Sequence, residues 1–362
     1  MSDKQNSVYR DIAERTGGDI YIGVVGPVRT GKSTFIKRFM EELVLPNITG
    51  GYSRERARDE LPQSAAGKTV MTTEPKFIPD EAVPVTLGDS GTLRVRMIDC
   101  VGYIVPDALG AVENDRPRMV HTPWQEDPVP FIEAAEEGTR RVIRDHSTIG
   151  VLVTSDGSFG DIARDDFVDA EERVARELRE SGKPFVVVVN SAHPDSPEAE
   201  ALALELEAKY DVPAALVDCT RLDEEDVLGI LELVLSDFPV REISVNYPEW
   251  VNALDDDHWL KRLIFDSCVS CASGIRRMGD VPMIYAASLA DRISEGLGEK
   301  YGRAEVSAGE AKLGSGESAV SVSLGRELYY ETVSHLTGLE IDSEKSLLSA
   351  LIGLAETKRD YE

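Results

Sequence analysis

Cysteine is scarce in this chain, with four residues among 362: Cys100, Cys219, Cys268 and Cys271. Thiols so few and so scattered exclude the disulfide framework that holds small secreted domains together. Cys268 and Cys271 form a Cys-x-x-Cys pair without a second pair, inside a stretch with a helical pattern. Ordinary burial on that helix is the preferred interpretation, and a redox or zinc site is the alternative.

Basic residues and long apolar runs are also in short supply. The chain carries 39 Lys and Arg against 66 Asp and Glu, a formal charge of −27. Without a basic cluster, that charge repels phosphate backbones and anionic lipid surfaces, so we expect no nucleic-acid partner. The sequence shows neither a signal-peptide pattern nor an apolar run near the length that spans a bilayer. We therefore expect a cytoplasmic protein without direct membrane insertion.

What the sequence does contain is a phosphate-binding pattern, G-x-x-x-x-G-K-S, running from Gly26 to Ser33 between a β-rich run and an amphipathic helical run. Gly26 and Gly31 allow the bare backbone to approach a triphosphate, while N–H groups and the positive end of the helix dipole face its oxygens. Lys32 is predicted to bridge the β- and γ-phosphates, and Ser33 to ligate Mg²⁺. The same loop and helix supply three further predicted nucleotide contacts: Arg29, Thr30 and Thr34.

A second motif follows two β-rich runs and reads D-C-V-G from Asp99 to Gly102. A hairpin that ends in Asp-x-x-Gly is typical of the GTPase-like branch of P-loop proteins. Asp99 is predicted to hold the Mg²⁺ shell through water, and the Gly102 N–H to meet the γ-phosphate. Thr72 or Thr73, upstream of the hairpin, is predicted to sense that phosphate. Tyrosine follows Gly102 where small GTPases place a glutamine, so hydrolysis should be slow or differently organised.

Two segments around these motifs leave alternatives open. Residues 47–68 are polar and rich in alternating charges, which suits a mobile switch. Its arginines either include an arginine finger or, preferably, form a solvated helical face; they are Arg54, Arg56 and Arg58. Residues 104–130 form a proline-bearing insertion longer than a plain switch needs. His121 and Trp124 in it either touch substrate or, preferably, pack the insertion.

The end of the apolar run FVVVVN indicates which base is bound. A GTPase would continue Asn190 with Lys-x-Asp, whereas this chain continues with Ser191-Ala192-His193. Loss of charge-assisted hydrogen bonds worth about 1.5–3 kcal/mol should remove much of any guanine preference. The sequence therefore favours ATP, with Asn190 kept as a nucleotide-binding candidate.

The alternation of β-rich and helical runs predicts the fold class. We expect an α/β P-loop NTPase of the GTPase-like class over residues 1–240, with a doubly wound, mostly parallel sheet and an antiparallel hairpin strand. A smaller α+β module is expected over 241–362. It should contain a helical stretch from about 249 to 278, a glycine-punctuated stretch from 296 to 316, then a strand and two helices.

These residues resemble the stage IV sporulation protein A family, the ATPases of the spore-coat basement in endospore-forming bacteria. The resemblance covers residues 8 to about 362 and is closest in the segments DIAERTGGDIY, VRTGKSTFIK, DELPQSAAGKTVMTTEPKF, DCVGY, PRMVHTPW and STIGVLVTSDG. It implies Mg²⁺-dependent ATP hydrolysis on a GTPase-like fold. By this resemblance, Lys32 is similar to the family's Walker A lysine, Thr72 and Thr73 are similar to its sensor threonines, and Asp99 is similar to its Walker B aspartate.

The resemblance also implies partners. Members of the family assemble with themselves on the mother-cell side of the forespore surface and meet coat proteins and a small amphipathic anchoring peptide through a further C-terminal domain. This sequence ends before that domain, as a truncated form or a shortened relative. We expect it to hydrolyse ATP without polymerising or binding vesicles alone. A GTPase-like regulator and a nucleotide-binding scaffold with little hydrolysis are the alternatives.

Overall fold

The computed structural model describes residues 11–48, 50–62, 75–86, 92–105, 112–113 and 116–361. The chain divides into two compact units. The first comprises residues 1–238 with 313–315, and the second comprises 239–312 with 316–362. Each unit has its own strands, helices and apolar core.

A six-stranded sheet forms the centre of the first unit. The strands are β1 (Asp19–Val25), β2 (Lys76–Thr86), β3 (Thr92–Asp99), β8 (Ile149–Ser155), β9 (Phe185–Asn190) and β10 (Ala214–Val217). Their order is β10-β9-β8-β1-β3-β2, and all neighbours are parallel except β2, which pairs antiparallel with β3. The predicted mostly parallel sheet with an antiparallel hairpin strand is thereby confirmed.

Helices cover both faces of this sheet. They are α1 (Lys32–Phe39), α2 (Gly51–Asp59), α3 (Phe131–Arg141), α4 (Arg164–Ser181), α5 (Pro197–Tyr210) and α6 (Glu224–Asp237). Successive residues of a strand point to opposite faces. Accordingly, Val186 and Val188 of β9 join a core with α1 and α6, while Val187 and Val189 join the core beneath α3, α4 and α5. Burial on both faces explains why β8 and β9 are continuous apolar runs.

Two segments for which the sequence left alternatives open are partly described in this unit. Residues 51–59 form α2, which agrees with the preferred helical interpretation of its arginines, and Ala57 is the residue of α2 that is buried. The described parts of the proline-bearing insertion form two short antiparallel pairs. These are β4 (Val112–Glu113) with β5 (Arg116–Pro117), and β6 (Met119–Thr122) with β7 (Gln125–Pro130).

The second unit is a three-stranded sheet with helices. Its strands are β11 (Glu242–Asn246), β12 (Glu305–Lys312) and β13 (Glu317–Ser323), in the order β11-β13-β12. Its helices are α7 (Trp259–Ala272), α8 (Ala286–Tyr301), α9 (Arg326–Thr337) and α10 (Glu344–Tyr361). Within the described residues, every helix is too short or too polar to cross a membrane.

Two expectations for the second unit were wrong in detail. The helical stretch expected from 249 to 278 is broken: a 3₁₀ turn spans Glu249–Ala253, and α7 begins at Trp259 after His258, whose side chain accepts from the Leu260 N–H. The glycine-punctuated stretch from 296 to 316 contains β12. Cys268 and Cys271 lie on α7 and pack against the core of this unit, as the preferred interpretation predicted.

Candidate functional site

The carboxyl end of β1 leads directly into the phosphate-binding loop. Gly31 has φ of +97°, and a Cβ placed there would lie 2.3 Å from the Asn190 Nδ2. A side chain at Gly31 is therefore excluded by both backbone conformation and space. Immediately after this glycine, α1 begins at Lys32, so its first N–H groups are directed at the loop.

Lys32 is held inside the loop. Its Nζ donates to the carbonyl oxygens of Pro27 at 2.6 Å and Gly26 at 3.3 Å, and the residue is 5% exposed. Burial lowers the pKa of Lys32, an effect opposed by the nearby Cys100 and Asp99. The ammonium group thus lies at the centre of the loop, where a phosphate group would find a desolvated cation.

Ser33 and Asp99 meet at the same edge of the sheet. The Ser33 Oγ donates to the Asp99 Oδ2 at 2.8 Å. The other carboxylate oxygen, Asp99 Oδ1, is buried and has no hydrogen-bond partner among the described residues. Burial raises the pKa of Asp99, opposed by the Ser33 hydrogen bond and by the Lys32 charge. A desolvated carboxylate oxygen beside a serine hydroxyl is the donor set that a hard divalent cation takes.

The D-C-V-G turn is joined to the phosphate-binding loop by backbone hydrogen bonds. The Val28 N–H donates to the Tyr103 carbonyl at 2.9 Å, and the Tyr103 N–H donates to the Gly26 carbonyl at 3.3 Å. Gly102 has φ of +89°, and a Cβ there would lie 2.2 Å from the Gly26 oxygen and 2.6 Å from the Lys32 Nζ. Glycine at this position therefore permits the turn to close on the loop.

The side chain of Tyr103 is directed into the core. It is 2% exposed, and the Arg173 guanidinium lies 4.5 Å from the centre of its ring. Burial first, and Glu177 second, raise the pKa of its phenol. The residue that follows the glycine of this motif is consequently occupied in packing.

Asn190, at the end of β9, connects two loops through its side-chain amide. Its Nδ2 donates to the Thr30 carbonyl and its Oδ1 accepts from the Cys219 N–H, both at 3.0 Å. The structure thus places this predicted nucleotide-binding residue against the phosphate-binding loop as a brace. Thr30 is itself buried, and its hydroxyl donates to the Pro27 carbonyl at 3.0 Å.

The loop that would face the base has a neighbour that sequence reasoning missed. The Ala192 N–H donates to the Ser158 Oγ at 2.8 Å, and the same hydroxyl donates to Asp156 at 2.6 Å. Beyond this contact, His193 and Asp195 line a cavity together with Asp218 from the loop after β10. The S-D-G-S cluster that begins at the last residue of β8 was the available signal, because a turn at a strand's carboxyl end lies at the same edge as Asn190.

The remaining predicted site residues are distributed as follows. Arg29 lies in the loop with φ of +67°, and Thr34 lies in the first turn of α1. Thr72 and Thr73 fall outside the described residues.

The preferred interpretations hold for the arginines of α2 and for Trp124, whereas His121 is exposed, against the packing role preferred for it. Arg56 of α2 is exposed and pairs with Glu60 and Glu81. Trp124 packs under the Arg141 guanidinium, 4.8 Å from the centre of its ring.

Comparison with known proteins decides the family. The family "Stage IV sporulation protein A, ATPase domain" matches residues 3–239, and "Stage IV sporulation protein A, middle domain" matches residues 240–362. The chain belongs to the stage IV sporulation protein A family. Proteins of that name are 47% identical to it in Bacillus subtilis (strain 168), 44% in Bacillus anthracis and 43% in Clostridioides difficile (strain 630).

These alignments cover 98–99% of this chain and 70–71% of the relatives. A solved structure of Toc33 from Arabidopsis thaliana, a dimerization-deficient mutant, superimposes with a TM-score of 0.36 at 11% identity, covering 64% of this chain and 91% of that one. The loop, the aspartate and the asparagine described above all lie in the segment that matches the sporulation ATPase domain.

Proposed function

We propose that this member of the stage IV sporulation protein A family is a Mg²⁺-dependent ATPase. The observation that carries the proposal is the convergence of Lys32, Ser33 and Asp99 at one edge of the sheet, with a buried carboxylate oxygen that no described residue satisfies. An unsatisfied buried carboxylate oxygen is costly, and a bound cation would offset that cost. The match to an ATPase domain supports the same assignment.

The residues present fit the magnesium ion and the triphosphate. Ser33 and Asp99 would hold the ion, which supplies charge neutralisation for the phosphate oxygens when bound. Lys32 would bind the β- and γ-phosphates, and the N–H groups of the loop and of Gly102 would orient them. Thr72 and Thr73 are proposed to sense the γ-phosphate, as the family resemblance implies.

ATP is the proposed substrate because the base loop continues from Asn190 with Ser191, Ala192 and His193. We expect ATP to bind at least tenfold more tightly than GTP, a gap of about 1.4 kcal/mol. Single-turnover phosphate release with each nucleotide, in Mg²⁺ and in EDTA, tests the assignment. Equal turnover of GTP would favour a GTPase-like regulator.

A nucleotide-binding scaffold with little hydrolysis is the second candidate. The burial of Tyr103 favours it, because that residue occupies the position from which small GTPases orient the attacking water. Tight binding of ATP without release of phosphate in a single turnover would establish the scaffold. Phosphate release that requires Mg²⁺ would establish the enzyme.

We further propose that hydrolysis drives a conformational change that leads to self-assembly of the spore-coat basement layer, on the mother-cell side of the forespore. A small amphipathic anchoring peptide and coat proteins are the proposed partners, on the resemblance to the family alone. Limited proteolysis of this chain with ATP and Mg²⁺, with Lys32→Ala as the control, tests the conformational step. A cleavage pattern that ATP leaves unchanged, or changes equally in both proteins, would contradict the coupling.

A further inference from the structure

Arg29 has an unusual backbone conformation. It lies between Gly26 and Gly31 of the phosphate-binding loop and adopts φ of +67°. Among the described residues it shares a positive φ with one other non-glycine, Asp211 at the end of α5. A left-handed conformation in a long side chain is uncommon, and strain of this kind concentrates at functional sites. The loop therefore holds an arginine where glycine would fit with less strain.

The guanidinium group of Arg29 is also incompletely satisfied. Its Nη2 is buried and has no hydrogen-bond partner among the residues that the structure describes. Guanidinium remains charged in proteins, so a buried N–H of this group without an acceptor is unfavourable. By contrast, the arginines of α2 are exposed, with Arg56 paired to Glu60 and Glu81 and Arg54 donating to the Ile48 carbonyl.

Arg29 and Lys32 are the two cations of the phosphate-binding loop, and Tyr103, the residue after Gly102, packs in the core. Phosphoryl transfer spreads negative charge over the oxygens of the transferred group, and an arginine placed there stabilises that charge. Resting on the ATPase function proposed above, we propose that Arg29 is a catalytic residue that stabilises the transition state from within its own phosphate-binding loop.

In the step concerned, a water oxygen forms a bond to the γ-phosphorus while the bond from that phosphorus to the β–γ bridging oxygen breaks. The bridging oxygen keeps the electron pair and leaves as part of ADP, and both water protons end on the inorganic phosphate that forms. Arg29 neither gains nor loses a proton. It donates hydrogen bonds to oxygens whose charge increases as the bond breaks, so it acts mainly on the rate of hydrolysis.

The test uses three variants of the full chain. Arg29→Gly removes the side chain, and because glycine adopts positive φ without strain, it spares the loop. Arg29→Lys keeps the charge without the planar fork of donors. Arg58→Ala removes an exposed arginine of α2 and serves as the matched control. Measurements are ATP and ADP affinity, single-turnover phosphate release, and binding of ADP with aluminium fluoride, which mimics the transferred group.

We expect Arg29→Gly to bind ATP and ADP within about threefold of wild type but to release phosphate roughly 10³-fold more slowly. It should lose the aluminium fluoride complex, and added guanidinium should restore part of the rate. Arg29→Lys should remain strongly impaired, and Arg58→Ala should match wild type.

Three results would overturn the assignment. If Arg29→Gly releases phosphate at the wild-type rate, Arg29 has no catalytic role, and the proposed ATPase function still stands. A fall in ATP affinity as large as the fall in rate makes Arg29 a ground-state ligand. Absence of phosphate release from the wild-type protein refutes the ATPase itself and the role of Arg29 with it.

Discussion

Replacing Asp99 by asparagine separates cation binding from folding. Because burial raises the pKa of Asp99 even with the Ser33 hydrogen bond and the Lys32 charge beside it, the ionised carboxylate is less favourable in the folded protein than in the unfolded chain. A neutral side chain of the same shape can still accept from the Ser33 hydroxyl, 2.8 Å away. Asp99→Asn should therefore leave the ligand-free free energy of unfolding unchanged or raise it.

The difference between the two proteins is measured as the increase in the free energy of unfolding when ligand is added. At a ligand concentration one hundred times its Kd, binding to the folded state alone adds about 2.7 kcal/mol to the free energy of unfolding. Wild type should gain this increment from ADP with Mg²⁺ and lose part of it in EDTA. Asp99→Asn should give the same value in Mg²⁺ and in EDTA, since the carboxylate proposed to hold the Mg²⁺ shell has become a neutral amide.

The assay is denaturant unfolding of both proteins at constant ADP, with Asp59→Asn, an exposed aspartate of α2, as the control. The denaturant midpoint and the m-value are read together, so that a change in compactness is not mistaken for a change in stability. A ligand-free loss above about 1 kcal/mol in Asp99→Asn, the size of one ordinary hydrogen bond, would refute the claim that its charge is not needed for folding. Retained Mg²⁺ dependence would refute the proposed cation site.

Three further predictions follow from the same contacts. Lys32→Ala should weaken ATP binding at least tenfold, whereas replacing Thr72 and Thr73 together by alanine should spare binding and slow hydrolysis. Titrations with labelled ATP measure the affinities. A threonine variant that loses as much affinity as Lys32→Ala would contradict the sensor role. Affinity for ADP with Mg²⁺ should fall as the pH is lowered through the raised pKa of Asp99, at a higher pH than for an ordinary aspartate, and calorimetry should show no such step in Asp99→Asn. In the ligand-free protein, by contrast, the free energy of unfolding should rise as the pH is lowered, because the folded state takes up the Asp99 proton at a higher pH than the unfolded chain does. Glu171→Gln should lower the free energy of unfolding in urea by about 3 kcal/mol. The fully buried carboxylate receives two hydrogen bonds from an arginine, and removing its charge leaves that cation unpaired. A loss below about 1 kcal/mol would contradict this reasoning.

The sequence predicted the sheet and the loop because their signals are local. FVVVVN and IGVLVTS are apolar up to their last one or two residues, as is typical of strands buried on both faces. The phosphate-binding motif and the Asp-x-x-Gly motif each assigned a residue to Mg²⁺, and the structure brings these two residues, Ser33 and Asp99, together across 66 positions of the chain. The two motifs together thus carried information about a long-range contact.

Three features lack the signal from which the sequence could have delimited them: the bounds of α2, strand β12 and the break before α7. Ala57 is the buried residue of α2, so no apolar stripe marks that helix; Arg56 and Glu60, one turn apart, support it instead. Strand β12 reads EVSAGEAK, in which small residues conceal the alternation. The break before α7 comes from the polar run that ends at His258, which caps the helix.

The base loop shows why part of a motif can be absent while the site persists. The amide of Asn190 is committed to the Thr30 carbonyl and the Cys219 N–H, two backbone groups that are present whichever base is bound. The lysine and aspartate of a GTPase would act on the base itself. Ser191 and His193, which stand where a GTPase has that lysine and aspartate, leave these two hydrogen bonds of Asn190 in place. Because both bonds go to backbone groups, the asparagine serves the phosphate-binding loop and does not by itself indicate which base is bound.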